Sequence, residues 1–80
     1  MEDQTVIDRI NELARREHEL FEKESRGDAS DDEREQLKKL EVVLDQLYDL
    51  LHQRRALRDA GGNPDDARVR DEQTVEGYLG

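Results

Sequence analysis

The side chains that come nearest to chemistry in this sequence are a cluster of three arginines, Arg54, Arg55 and Arg58, and an acid–acid–histidine set, Asp45, Asp49 and His52. Clustered guanidiniums can grip phosphate oxygens with forked hydrogen bonds. The same three arginines, near the C-terminal end of a helix, are also where the helix dipole favours cations. A neighbouring antiparallel helix would bring Glu2 and Asp3 within their reach. The ion-pair reading takes precedence, and a nucleic-acid or phosphate-ligand site is kept as the alternative. Asp45, Asp49 and His52 fall at steps of four and three and so share a helix face, a spacing used in di-metal bundles. His18 stands about 20 Å from His52 along the axis of one hairpin, too far to join the same ion. A solvated charged face is the better reading, and no metal or cofactor is expected.

Nucleophilic catalysis has little to work with. Cysteine is absent, and Thr5, Ser25, Ser30 and Thr74 sit in caps or tails with no histidine placed beside them. Gly61-Gly62 follows a helical stretch instead of opening one, so it is no phosphate loop. The expectation is a protein that is not an enzyme. A net charge of −9 and a pI near 4.6 oppose binding to polyphosphate or to an anionic membrane and favour a basic partner. The first residues lack a basic region followed by an apolar run, and the longest apolar run is Val42-Val43-Leu44. A cytoplasmic chain outside the membrane is therefore expected.

These residues depend on two helices for their placement. The central one carries Leu37, Leu40, Leu44, Leu47 and Leu51 at steps of three and four. Val43, Tyr48, Leu50 and Leu57 widen that stripe to about half the circumference, more than one partner helix covers. The first helix carries Val6, Ile10, Leu13 and Leu20, flanked by Ile7, Ala14 and Phe21, with Glu17 interrupting the seam. The Glu17 stem should pack while its head reaches a cation; a buried polar residue fixing register is the sharper reading. Between the helices Gly27 suits a left-handed helix end, and Ser30-Asp31-Asp32-Glu33 matches a capping box. So short a break makes the helices antiparallel neighbours.

The fold expected is all-α: an antiparallel two-helix hairpin, helix 1 over about 4–25 and helix 2 over about 31–59. The hairpin occupies residues 1–60 and a partly helical or extended tail residues 61–80. Eighty residues with no disulfide bury a small core, and the charged fraction of 44% exceeds the apolar fraction of 32%. Self-association is the device left, most simply a homodimer forming a four-helix bundle. Leu40, Val43, Leu44, Leu47, Tyr48, Leu50 and Leu51 are the expected core and dimer contacts. In the tail, Asn63-Pro64-Asp65-Asp66 reads as a capped helical turn running through about Arg68. Val75, Tyr78 and Leu79 supply apolar area for docking on this bundle, its mate or a separate protein.

The run Leu44-Asp45-Gln46-Leu47-Tyr48-Asp49-Leu50-Leu51-His52-Gln53-Arg54-Arg55-Ala56 resembles a small uncharacterised actinobacterial family, a domain of unknown function. Asn63 to Arg70 and Thr74 to Tyr78 carry the likeness over nearly the whole chain. Tyr48 and His52 depart from the family pattern, where Trp and Arg are frequent. The resemblance implies an actinobacterial cytoplasmic protein and brings no activity or site residue. The function expected is accordingly a non-enzymatic homodimeric interaction module, an adaptor or regulator whose acidic surface meets an unidentified protein.

Overall fold

The computed structural model describes residues 2–70. Helix α1 spans Asp3–Ser25 and helix α2 spans Asp31–Asp59. A single 3₁₀ turn follows at Pro64–Asp66. No strand occurs among the described residues, and none of their helices is long and apolar enough to cross a membrane.

Both helices stop the same way. Gly27 and Gly61 each take φ of 77°, the left-handed region where a side chain would clash with its own backbone. The amide after each glycine then reaches back to the last turn, Asp28 N to Lys23 O at 2.9 Å and Gly62 N to Leu57 O at 2.7 Å. The capping box forms as expected: the Glu33 amide donates to Ser30 Oγ, and the Ser30 amide donates to Glu33 Oε1, both at 3.1 Å. The other Glu33 oxygen accepts from Lys23 Nζ at 2.8 Å, so one carboxylate caps α2 and ties it to the end of α1. The start of α1 is not capped in this way. Its N-cap is Glu2, with no side-chain cap bond. Asp3, the nearest carboxylate suited to capping, is drawn instead to two arginines of α2.

Three cross-links give the register of the antiparallel pair. Lys23 meets Glu33 beside the bend, Arg16 meets Gln36 at 3.3 Å, and Asp3 meets Arg54 at the far end. Between them Val6, Ile10, Leu44, Leu50, Leu51 and Ala67 form the core cluster, with Ile7, Leu13, Ala14, Leu47 and Leu57 packed against it. Leu20 and Leu37 are buried as well. Glu17 is half-buried, but among the described residues its carboxylate meets no cation, contrary to expectation. Its neighbouring cation Arg16 is held by Glu19 and Gln36 instead.

The wide face of α2 receives a second neighbour from its own chain. After the 3₁₀ turn, which is shorter than the sequence suggests, the backbone is extended at Ala67 and runs back over α2, burying the Ala67 methyl beside Leu50 and Leu51. Of the seven expected core and dimer contacts, Leu44, Leu50 and Leu51 are buried and Leu40 and Leu47 half-buried. Val43 is 38% exposed and Tyr48 47% exposed.

Candidate functional site

Arg54 is the one charged residue buried among the described residues, 5% exposed, and it is held on every side. It stands on the inward face of α2, one turn beyond Leu50 and Leu51. The 3.6-residue repeat that places those leucines in the core therefore carries Arg54 into its margin. Nε donates to Asp3 Oδ1 at 2.7 Å, and Nη1 donates to Asp65 Oδ1 at 3.1 Å and to the Pro64 carbonyl at 3.3 Å. Asp3 takes a second cation at its other oxygen, Arg58 Nη2 at 2.8 Å. One guanidinium thus joins the first residue of α1, the last turns of α2 and the 3₁₀ turn. Burying a charge is tolerated only when such partners replace water.

The turn is built to present its two acceptors. Asn63 Oδ1 accepts from the Asp65 amide at 3.0 Å, and Pro64 fixes the backbone at the first position. The hydrogen bond from Arg54, then that from Arg58, holds the Asp3 carboxyl below its ordinary value. Arg54 likewise lowers Asp65, while Asp3 and Asp65 raise Arg54. Arg55 faces solvent and has no partner among the described residues. The arginine cluster of the sequence is therefore divided: Arg54 is buried in ion pairs, Arg58 is half-exposed on Asp3, and Arg55 is free.

Beyond the turn, side-chain amides of α2 hold the backbone. Gln53 reads Arg68 twice, donating from Nε2 to its carbonyl at 2.7 Å and accepting its amide at Oε1 at 3.3 Å. Gln46 Nε2 donates to the Arg70 carbonyl at 3.2 Å, and Arg70 Nε lies 3.4 Å from Asp49 Oδ2. Asp49 also accepts from Gln53 at 2.8 Å, so it faces the tail and not His52. A cavity of about 290 Å³ lies under this strap, lined by Leu50, Arg54, Asp65, Ala67, Arg68 and Val69. Of its charged lining, Arg54 is paired with Asp65, and Arg68 Nη1 donates to the Asp65 and Ala67 carbonyls. The roles of Asp65, Gln46 and Gln53 were not read from the sequence. The signal for the two glutamines was their position beside Leu50 and Leu57 on one stripe of α2, amides bordering apolar groups where a backbone could lie. Val75, Tyr78 and Leu79 lie outside the described residues.

Asp45 is half-buried and His52 exposed, while His18 Nε2 is 3.2 Å from Glu22. No group of three or more His, Cys, Asp or Glu side chains that could hold a metal ion occurs among the described residues.

A family model described as "Protein of unknown function (DUF2630)" matches residues 2–80. The chain belongs to this family. Relatives include an uncharacterised protein of Mycobacterium tuberculosis (strain ATCC 25618 / H37Rv) and one of Mycobacterium bovis. Each is 52% identical over 54 residues, covering 68% of this chain and 62% of the relative. The match thus spans less than two thirds of those mycobacterial proteins. No solved structure matches the chain. The DUF2630 family and its mycobacterial members agree with the actinobacterial resemblance of the helix 2 run.

In this DUF2630 chain the ionised carboxylates give folding a definite pH dependence. Glu33, held by Lys23 and then by the Ser30 amide, is lowered from 4.5 to about 2. Asp3 and Asp65 shift in the same direction. A carboxyl with a depressed folded pKa binds fewer protons folded than unfolded. Its stabilisation is therefore complete above about pH 4.5 and is lost as pH falls towards about 2. Thermal denaturation should show a midpoint that is flat near neutrality and declines progressively from about pH 4.5 to 2. Glu33→Gln should lower the midpoint at pH 7 and flatten that decline; an unchanged slope would show that the Lys23–Glu33–Ser30 link does not carry it.

Proposed function

We propose that the chain is a non-enzymatic helical interaction module that pairs with a second copy to close a four-helix bundle and offers its acidic surface to a basic protein. The observation that carries this reading is the apolar flank left open on the hairpin. Ile7, Ala14 and Phe21 recur at steps of seven on α1, ending in a Phe21 ring that is 58% exposed. Tyr48 of α2, level with Ile7 in the antiparallel register, is 47% exposed. Two copies related by a two-fold axis would lay Phe21 of each over the Ile7–Tyr48 end of the other, a self-complementary contact. Tyr48 and Phe21 are large aromatic groups of the kind that anchor such interfaces.

The acidic surface supports the partner's sign: the whole chain has a net charge of −9, and the outer faces of both helices are mostly charged. The alternative, an anion site at Arg54, Arg55 and Arg58, loses Arg54 to Asp3 and Asp65. Sedimentation equilibrium at micromolar concentration is expected to give twice the chain mass. Phe21→Glu combined with Tyr48→Glu should give a monomer that keeps its helical circular dichroism. A folded wild-type monomer under those conditions would overturn the dimer.

A further inference from the structure

The strap over α2 has a direction. Arg68 is tied at Gln53 and Arg70, two residues later, at Gln46, seven positions nearer the interhelical bend. Directly ahead on that stripe, one heptad before Leu50, stands Val43, 38% exposed, with half-buried Leu40 and Leu47 beside it. This is not the flank of Tyr48: Val43 and Tyr48 lie about 140° apart around α2. Across the seam, α1 lines the Val43 side with Arg9, Arg16 and Lys23, again at steps of seven. The bond from Arg16 to Gln36, which shares the Val43 stripe, places that row on this side. Lys39, one turn before Val43, adds a cation from α2.

The ten residues after Arg70 have the complementary character. They carry Asp71, Glu72 and Glu76 and no Lys or Arg, with Val75, Tyr78 and Leu79 as the apolar groups. Lys23 is held by Glu33 at 2.8 Å and Arg16 also donates to Gln36, while the acids on Arg9 and Arg16, Glu12 and Glu19, are exposed and one turn away, at 3.2 Å each. Such pairs are weak and exchange readily for other acids. We propose that residues 71–80 continue the strap within the same chain. Val75, Tyr78 and Leu79 cover Val43 and the edges of Leu40 and Leu47, and the three acids lie along the Arg9–Arg16–Lys23 row. The reach to Val43 is sufficient in any conformation. Val43 lies about 4.5 Å along α2 from Gln46, against about 15 Å for ten helical residues and about 33 Å for ten extended ones.

A spin label on Gly80→Cys in the full-length protein tests this, since the chain has no other cysteine. Methyl signals of Leu40, Val43 and Leu47 should broaden when label and isotope are in one chain. They should stay sharp when labelled and isotope-bearing chains are mixed. Val43→Glu, at an exposed position, should abolish the broadening while helical circular dichroism is kept. Sharp methyls in the singly assembled sample would show that the segment does not occupy this seam. Broadening only in the mixed sample would assign the seam to a second copy's tail. Broadening that survives Val43→Glu would separate the segment from Val43. Each of these results overturns the proposal.

Discussion

Leu44→Ala is expected to lower the unfolding free energy by about 2–5 kcal/mol, the range for truncating a core leucine. Leu44 is 4% exposed and belongs to the cluster that joins Val6 and Ile10 of α1 to Leu50 and Leu51 of α2 and Ala67 of the strap. Removing its branched end leaves a void where three segments converge, with few neighbouring layers able to close over it. Single domains are stable by only about 5–15 kcal/mol, and a hairpin of this size belongs at the low end. Urea denaturation should therefore show a large drop in midpoint for Leu44→Ala. Leu44→Met, which roughly conserves volume, should cost less than about 1.5 kcal/mol. Equal midpoints for the two variants would mean that the packing at Leu44 is not what holds the hairpin.

The second large effect is expected at Arg54. Arg54→Met keeps the length of the side chain and removes its charge. Asp3, Asp65 and the Pro64 carbonyl then each lose a hydrogen bond at once, although Asp3 keeps Arg58. Charge-assisted bonds at the margin of a core cost more to lose than neutral ones. The melting midpoint should fall further than for Arg58→Met, which leaves the Arg54–Asp3 bond in place. Amide exchange should show where the loss falls. The Asp66 and Ala67 amides, bonded to Asn63 and Pro64, should lose protection first, together with the start of α1. The Asp3→Asn and Arg54→Met changes should be strongly non-additive because they share one pair. Equal midpoints for Arg54→Met and Arg58→Met, with unchanged exchange at Ala67, would remove Arg54 from the centre of the fold.

Local chemistry by itself determined much of this protein. The seven-residue columns of leucine and isoleucine, Gly27 and Gly61 at the helix ends, and Ser30 with Glu33 make two helices and a bend. Each of these signals acts within a few residues, through side-chain direction, backbone freedom or a capping bond, so it can be read without knowing the fold. The antiparallel arrangement follows from the length of the connection, and counting residues back from it brings Glu2 and Asp3 within reach of the three arginines, of which the structure pairs Asp3 with Arg54 and Arg58. Family membership was legible in the helix 2 run, as the DUF2630 match shows.

Only the tertiary structure decided how the wide face of α2 is covered and what becomes of the three arginines. Periodicity shows that a face is apolar but carries no information about which segment lies on it. The sequence therefore did not reveal that Ala67 and the Arg68–Arg70 backbone pack on part of that face. That contact is made by main-chain groups meeting Gln46 and Gln53, and a backbone carbonyl looks the same at every position in a sequence. The same reason hid the clamp. Asp65 reaches Arg54 only because Asn63 and Pro64 turn the chain back beneath α2, a three-dimensional coincidence of two residues eleven apart. Spacing placed Arg54, Arg55 and Arg58 together; the buried side of the helix separated them.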